Sequence, residues 1–171
     1  MKRNRRAEKA IHKDEIGHIP HDLLRKIQEA WVGPPPTLPV AWMNPTTLED
    51  HEADVAFSGK YWDKISCNQQ VPQHSLAWLC SGGAPGAAGY YLAHFIKCYF
   101  SASDDDKELI TDEIHLFVAA ILRRTDQAEL NLGQCLVVED FLRNIDEFGP
   151  WFSLPDMVSL WAEMIERLSP P

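Results

Sequence analysis

Ala87-Ala88-Gly89-Tyr90-Tyr91-Leu92-Ala93-His94-Phe95-Ile96-Lys97-Cys98-Tyr99-Phe100 is the most apolar stretch of the sequence. Tyr90, Tyr91, Leu92, Phe95, Ile96, Tyr99 and Phe100 cover more than one face of a helix, which predicts a central helix packed on two sides. Its 14 residues fall short of the roughly 20 needed to cross a bilayer. Immediately upstream, Ser81-Gly82-Gly83-Ala84-Pro85-Gly86 breaks the chain, with Pro85 suited to a first helical turn.

The segments around this helix also read as helical. After Pro20, Leu23, Leu24, Ile27 and Trp31 recur on one face with Arg25, Lys26 and Glu29 on the other, until Gly33-Pro34-Pro35-Pro36 ends the pattern. Residues 34–45 carry five prolines and predict an extended surface crossing. Thr46-Thr47-Leu48-Glu49 reads as a capping box opening a helix to Phe57, with Leu48, Val55 and Phe57 expected inward and Gly59 at its stop. Trp62 and Ile65 are expected to pack a short turn against that end, and a further helix is expected over Pro72–Cys80. Ser103 followed by Asp104-Asp105-Asp106 predicts a capped helix running to Arg123-Arg124, with a break near Thr111. Two more helices are expected, near Gln134–Phe148 and over Pro155–Leu168, the second capped by Ser153 with Asp156. The expected fold is all-α: residues 1–17 as a basic polar tail or frayed helix, and 18–171 as a single compact domain of about six to eight helices.

Phe57-Ser58-Gly59-x-x-Trp62, followed after a helix by Tyr90-Tyr91-Leu92-Ala93-His94, resembles a family of small bacterial proteins of unknown function with the pattern F-S/A-G-x-x-W … Y-F/Y-L-P-A-Y. Here Ala93-His94 stands where that family usually has Pro-Ala, so the match is partial. The resemblance covers the chain from near Leu23 onward. It implies a fold and almost nothing about activity.

A length of 171 residues suits one hydrophobic core. With 45% hydrophobic and 24% charged residues, the composition is that of an ordinary globular domain. The basic start Met1-Lys2-Arg3-Asn4-Arg5-Arg6 is followed by no apolar signal-peptide region, which points to the cytoplasm. Cys67, Cys80, Cys98 and Cys135 lack the close pairs of structural zinc sites and are expected as reduced thiols. The net charge of −9 is unevenly divided: residues 1–13 hold six of the 16 Lys/Arg and one of the 25 acids, leaving ten against 24, a net −14, over residues 14–171. A body that acidic repels nucleic acid and favours a cationic partner.

Each arrangement that resembles a chemical site lacks a member. His51-Glu52-x-Asp54 has Val55 where a helical zinc motif needs a second histidine. Cys67, His74 and Cys80 form a loose ligand set lacking a fourth group. His94 and Cys98 share a helical face, but on the most buried helix, where thiols are inert. The glycines of residues 82–86 are not followed by a phosphate-binding Lys-Ser/Thr, and Lys107 spoils a calcium loop at Asp104–Asp106. The expectation is therefore no catalytic residue, no metal and no cofactor. Three functional classes remain. The first is a cytoplasmic immunity protein, a protein-binding module occluding a basic toxin domain through Glu49, Asp50, Glu52 and Asp54 on one helix and Asp104, Asp105 and Asp106 at the start of another. The alternatives are a nucleic-acid mimic regulating a DNA-binding partner and a small metal-dependent enzyme.

Overall fold

The computed structural model describes residues 19–36, 48–68, 76, 79, 86–123, 130–145 and 154–168. Among these residues six α-helices are bounded: α1 (His21–Ala30), α2 (Leu48–Phe57), α3 (Ala87–Tyr99), α4 (Asp104–Arg123), α5 (Leu132–Arg143) and α6 (Leu154–Leu168), with a 3-10 turn at Trp62–Lys64 between α2 and α3. No strand occurs among the described residues, and the fold is all-α. Nor is any helix among them long and apolar enough to cross a membrane.

The 87–99 helix takes the expected central place. Eleven of its 13 residues are buried, and it packs against both α4 and the 3-10 turn. Gly86 at its N-cap has φ +77°, a left-handed conformation that a side chain would strain. α1 begins after Pro20, whose carbonyl accepts from the Leu24 N–H at 3.0 Å. Leu23 and Ile27 face the core, while Arg25 and Glu29 pair on the exposed side. The Trp31 indole donates to the Gly89 carbonyl at 2.7 Å, tying the end of α1 to the first turn of α3. Further along α1, Lys26 meets Asp140 of α5 at 2.6 Å. Both side chains are partly solvated, so this pair contributes no more than about 1 kcal/mol.

On α2 the expected inward set is corrected. Phe57 is buried with Ala53 and Ala56, but Leu48 and Val55 are 70% and 74% exposed. Helical geometry explains this: successive residues turn by about 100°, so Val55 and Phe57 diverge by about 200° and cannot both face the core. Once the larger Phe57 ring is inside, Leu48 and Val55, seven residues apart, share the opposite stripe. Gly59 ends the helix at φ +69°, as its position predicts. The Tyr91 hydroxyl bonds the Phe57 carbonyl at 2.6 Å, with the Lys60 carbonyl at 3.1 Å, so α3 ties down the turn that follows α2. The following turn buries Trp62 and Ile65, and the Trp62 indole donates to the Trp31 carbonyl at 3.2 Å.

Ser103 caps α4, accepting from the Asp106 N–H at 3.3 Å and donating to its carboxylate at 2.6 Å. The break expected near Thr111 does not occur. Its hydroxyl donates to the Glu108 carbonyl at 2.8 Å, which satisfies the side chain within the helix. α5 begins two residues before the expected Gln134, because Asn131 and Gln134 form a reciprocal capping box with both bonds at 2.9 Å. It also ends earlier, at Arg143. α6 seats the fully buried Trp161, whose indole donates to the Cys135 carbonyl of α5 at 2.9 Å. One continuous apolar core joins these helices, and it includes Leu76 and Leu79, both helical and buried. The rest of the expected Pro72–Cys80 helix, the 1–17 tail, most of the proline-rich crossing and the caps at Thr46 and Ser153 lie outside the described residues.

Candidate functional site

The acidic residues expected to meet a partner divide by position. Glu52 is exposed on the outward stripe of α2 together with Leu48, His51 and Val55, at spacings of three, one and three residues. Asp54 is half-buried and accepts a hydrogen bond from the Ser58 hydroxyl, which turns it toward the end of its own helix. The two described carboxylates of α2, Glu52 and Asp54, thus do not share one outward stripe. Asp105 and Asp106 are exposed in the first turn of α4, where the helix dipole favours them. Glu49 and Asp50 lie on α2 and Asp104 opens α4; the described side chains do not include theirs.

A second site gathers on the last two turns of α3. Among the described residues, Cys67, His94 and Cys98 form the group of potential ligands whose donor atoms lie within 4.8 Å of one another. Cys67 follows the 3-10 turn and is half-buried, whereas His94 and Cys98 are buried one helical turn apart. Cys67 and Cys98 form a disulfide with Cα atoms 5.1 Å apart, at a sequence separation of 31. This corrects the expectation of reduced thiols for that pair. Its cause is tertiary: Ile65 is buried, and the buried Lys97 ammonium donates to the Ile65 carbonyl at 2.6 Å, laying the 65–67 segment along α3. In the chain-entropy account, closing a loop of that length stabilises the fold by about 3.5–4 kcal/mol.

The same surroundings hold His94 neutral. Burial pushes its pKa down to about 3, the charge on Lys97 acts in the same direction, and a hydrogen bond with the Trp62 backbone opposes them. Cys98 Sγ lies 3.6 Å from each ring nitrogen of His94, the contact that the four-residue spacing predicts. Cys67 pairs with Cys98; the His74 and Cys80 once grouped with it lie outside the described residues. His51 and Glu52 are both exposed. Cys135 is a free, buried thiol whose pKa burial raises to about 11, so it is a poor nucleophile.

Two buried charged groups escape the sequence reading. Lys97 has no exposed surface, and Glu113 on α4 is 6% exposed, its carboxylate accepting from the Leu76 N–H at 2.9 Å. For Lys97 the available signal is an ionisable residue set among apolar ones, in Phe95-Ile96-Lys97-Cys98; Glu113, in Thr111-Asp112-Glu113-Ile114-His115, carries no such signal. Comparison with protein-family models, with curated proteins and with solved structures yields no match.

Proposed function

We propose that this chain is a protein-binding module of the immunity type, which neutralises a basic toxin in the cytoplasm by covering its active surface, and that it is related to the small bacterial family its Phe57–Trp62 and Tyr90–His94 motifs resemble. The observation that carries this reading is the outer stripe of α2. Leu48 and Val55, 70% and 74% exposed, flank His51 and Glu52 on a body of net charge −14 over residues 14–171. Exposed aliphatic groups supply burial at the centre of an interface, and surrounding carboxylates steer a cationic partner. Asp105 and Asp106, exposed at the start of α4, add to the acidic surface. A nucleic-acid mimic calls for carboxylates in a continuous stripe, and Asp54, bonded to Ser58, interrupts one on α2.

The test is affinity capture from the native host with the wild-type protein and with a Leu48→Asp/Val55→Asp variant. Both substituted positions are exposed, so the variant is expected to melt close to wild type. The expected result is a basic protein retained by the wild type and lost by the variant. Equal capture by both, or capture of no basic protein, overturns the proposal.

A further inference from the structure

We propose that, once its disulfide is reduced, the Cys67–Cys98 pair joins His94 to form a zinc site whose fourth ligand is solvent. The inference is independent of the toxin-binding reading and departs from the sequence expectation of no metal, because its three ligands come from two segments that only the fold brings together.

The geometry fits the ion. Zinc binds thiolate sulfur at about 2.3 Å and imidazole nitrogen at about 2.0–2.1 Å in a tetrahedron. Those bond lengths make the sulfur-to-nitrogen edge about 3.6 Å and the sulfur-to-sulfur edge about 3.8 Å. The sulfur of Cys98 already stands 3.6 Å from the ring nitrogens of His94. Because both nitrogens are at that distance, a turn of the imidazole about its Cβ–Cγ bond selects which one faces the metal. The nitrogen turned away from the metal is then left to the Trp62 backbone, which already acts on the ring; backbone carbonyls commonly orient metal-binding histidines in this way.

Besides that turn of the imidazole, only Cys67 has to move. From disulfide to zinc-bound dithiolate the two sulfurs separate by roughly 1.7 Å. Cys98 is fixed within α3, whereas Cys67 lies in a turn after the 3-10 segment and is half-buried. Its solvent-facing side is both the entry path for the ion and the place for the fourth, water ligand. Two thiolates balance the charge of the dication, so the closed site adds no net charge to the core.

The steps balance. A dithiol reductant gives two electrons and two protons to the Cys67–Cys98 bond, yielding two thiols and the cyclic disulfide of the reductant. Zinc then forms two Zn–S bonds and one Zn–N bond, and the two thiol protons pass to solvent. Neutral His94 gives up none. The disulfide and the zinc-bound dithiolate are alternative cross-links between the same two points, so the fold keeps one tie in oxidising and in reducing conditions.

The experiment uses the full chain, reduced with a phosphine, freed of metal and titrated with Co²⁺ as the spectroscopic probe. The expected result is a thiolate-to-cobalt charge-transfer band and tetrahedral d–d bands that saturate at about one equivalent, bleach on adding Zn²⁺, and are missing from the oxidised protein. Cys67→Ser, which loses the disulfide just as reduction does, and His94→Gln are each expected to weaken binding about tenfold or more. Far-UV helicity is followed in parallel. If the reduced wild type unfolds without metal, one equivalent of Zn²⁺ must restore its helicity and must fail to do so for Cys67→Ser. A reduced, folded wild type without these bands, bands unchanged in Cys67→Ser and His94→Gln, or failure of Zn²⁺ to restore the helicity of an unfolded reduced wild type overturns the proposal.

Discussion

Replacing Trp62 by alanine removes the group that closes the 3-10 turn over the core. Trp62 is 5% exposed, and its indole N–H reaches the carbonyl of Trp31, whose own indole bonds the Gly89 carbonyl of α3. A buried tryptophan removes about 200 Å² from water, and about 25 cal/mol per Å² makes this about 5 kcal/mol as an upper bound. Correcting for a compact denatured state leaves about 3–4.5 kcal/mol, in line with about 3–5 kcal/mol for aromatic-to-alanine changes in cores. The lost hydrogen bond adds about 1 kcal/mol. For a chain of this size each kcal/mol lowers the melting temperature by about 2–4 °C, so the total of about 4–5.5 kcal/mol predicts that Trp62→Ala melts about 8–22 °C below wild type. Trp62→Phe keeps most of the apolar surface but loses the N–H, and is expected to cost about 1–2 kcal/mol. Calorimetry of both variants with the disulfide intact measures the two contributions separately. A Trp62→Ala protein melting within about 3 °C of wild type refutes the reasoning and makes the ring available as part of a binding surface.

Two further outcomes follow from buried titratable groups. His94 and His115 both have pKa values lowered by burial, to about 3 for His94; the unfolded chain therefore binds more protons below about pH 6.5, and stability present above that pH is lost on acidification, by about 2 kcal/mol between pH 7 and 5 for His94 alone. Urea midpoints should fall over that interval, and equal midpoints would contradict the assignment. The Cys135 thiol, with its pKa raised to about 11, should resist alkylation at pH 8 in the folded protein and react in denaturant, as peptide-resolved mass spectrometry reads directly.

The helices were legible where a local pattern and its packing agree. The 87–100 run forms α3 because seven large apolar groups spread over more than one face leave no polar side to solvate, and the Leu23, Ile27, Trp31 series ends at Gly33 because prolines follow it. The readings that failed did so for nameable reasons. Assigning Leu48, Val55 and Phe57 to one face ignored a turn of about 200° between the last two. The start of α5 was written in Asn131-x-x-Gln134, a capping box as explicit as any in the chain. Thr111 suggested a break because threonine competes for backbone groups, yet a helix absorbs that hydroxyl when it bonds back to the preceding turn.

The Cys67–Cys98 pair was illegible for a different reason: its members stand at a sequence separation of 31, and no periodicity relates the loop after Trp62 to the last turn of α3. What relates them is Lys97. A lysine inside an apolar helix must find an acceptor for its ammonium, and the carbonyl of Ile65 serves at 2.6 Å. That bond holds a point two residues before Cys67 against a point one residue before Cys98. The cation that looks misplaced in the sequence therefore sets the register between turn and helix, and the two sulfurs and His94 meet as a consequence of that register. The buried charge and the candidate metal site are in this sense one feature: moving the ammonium away from Ile65 would loosen the segment that carries Cys67 while leaving His94 and Cys98 in place on their helix.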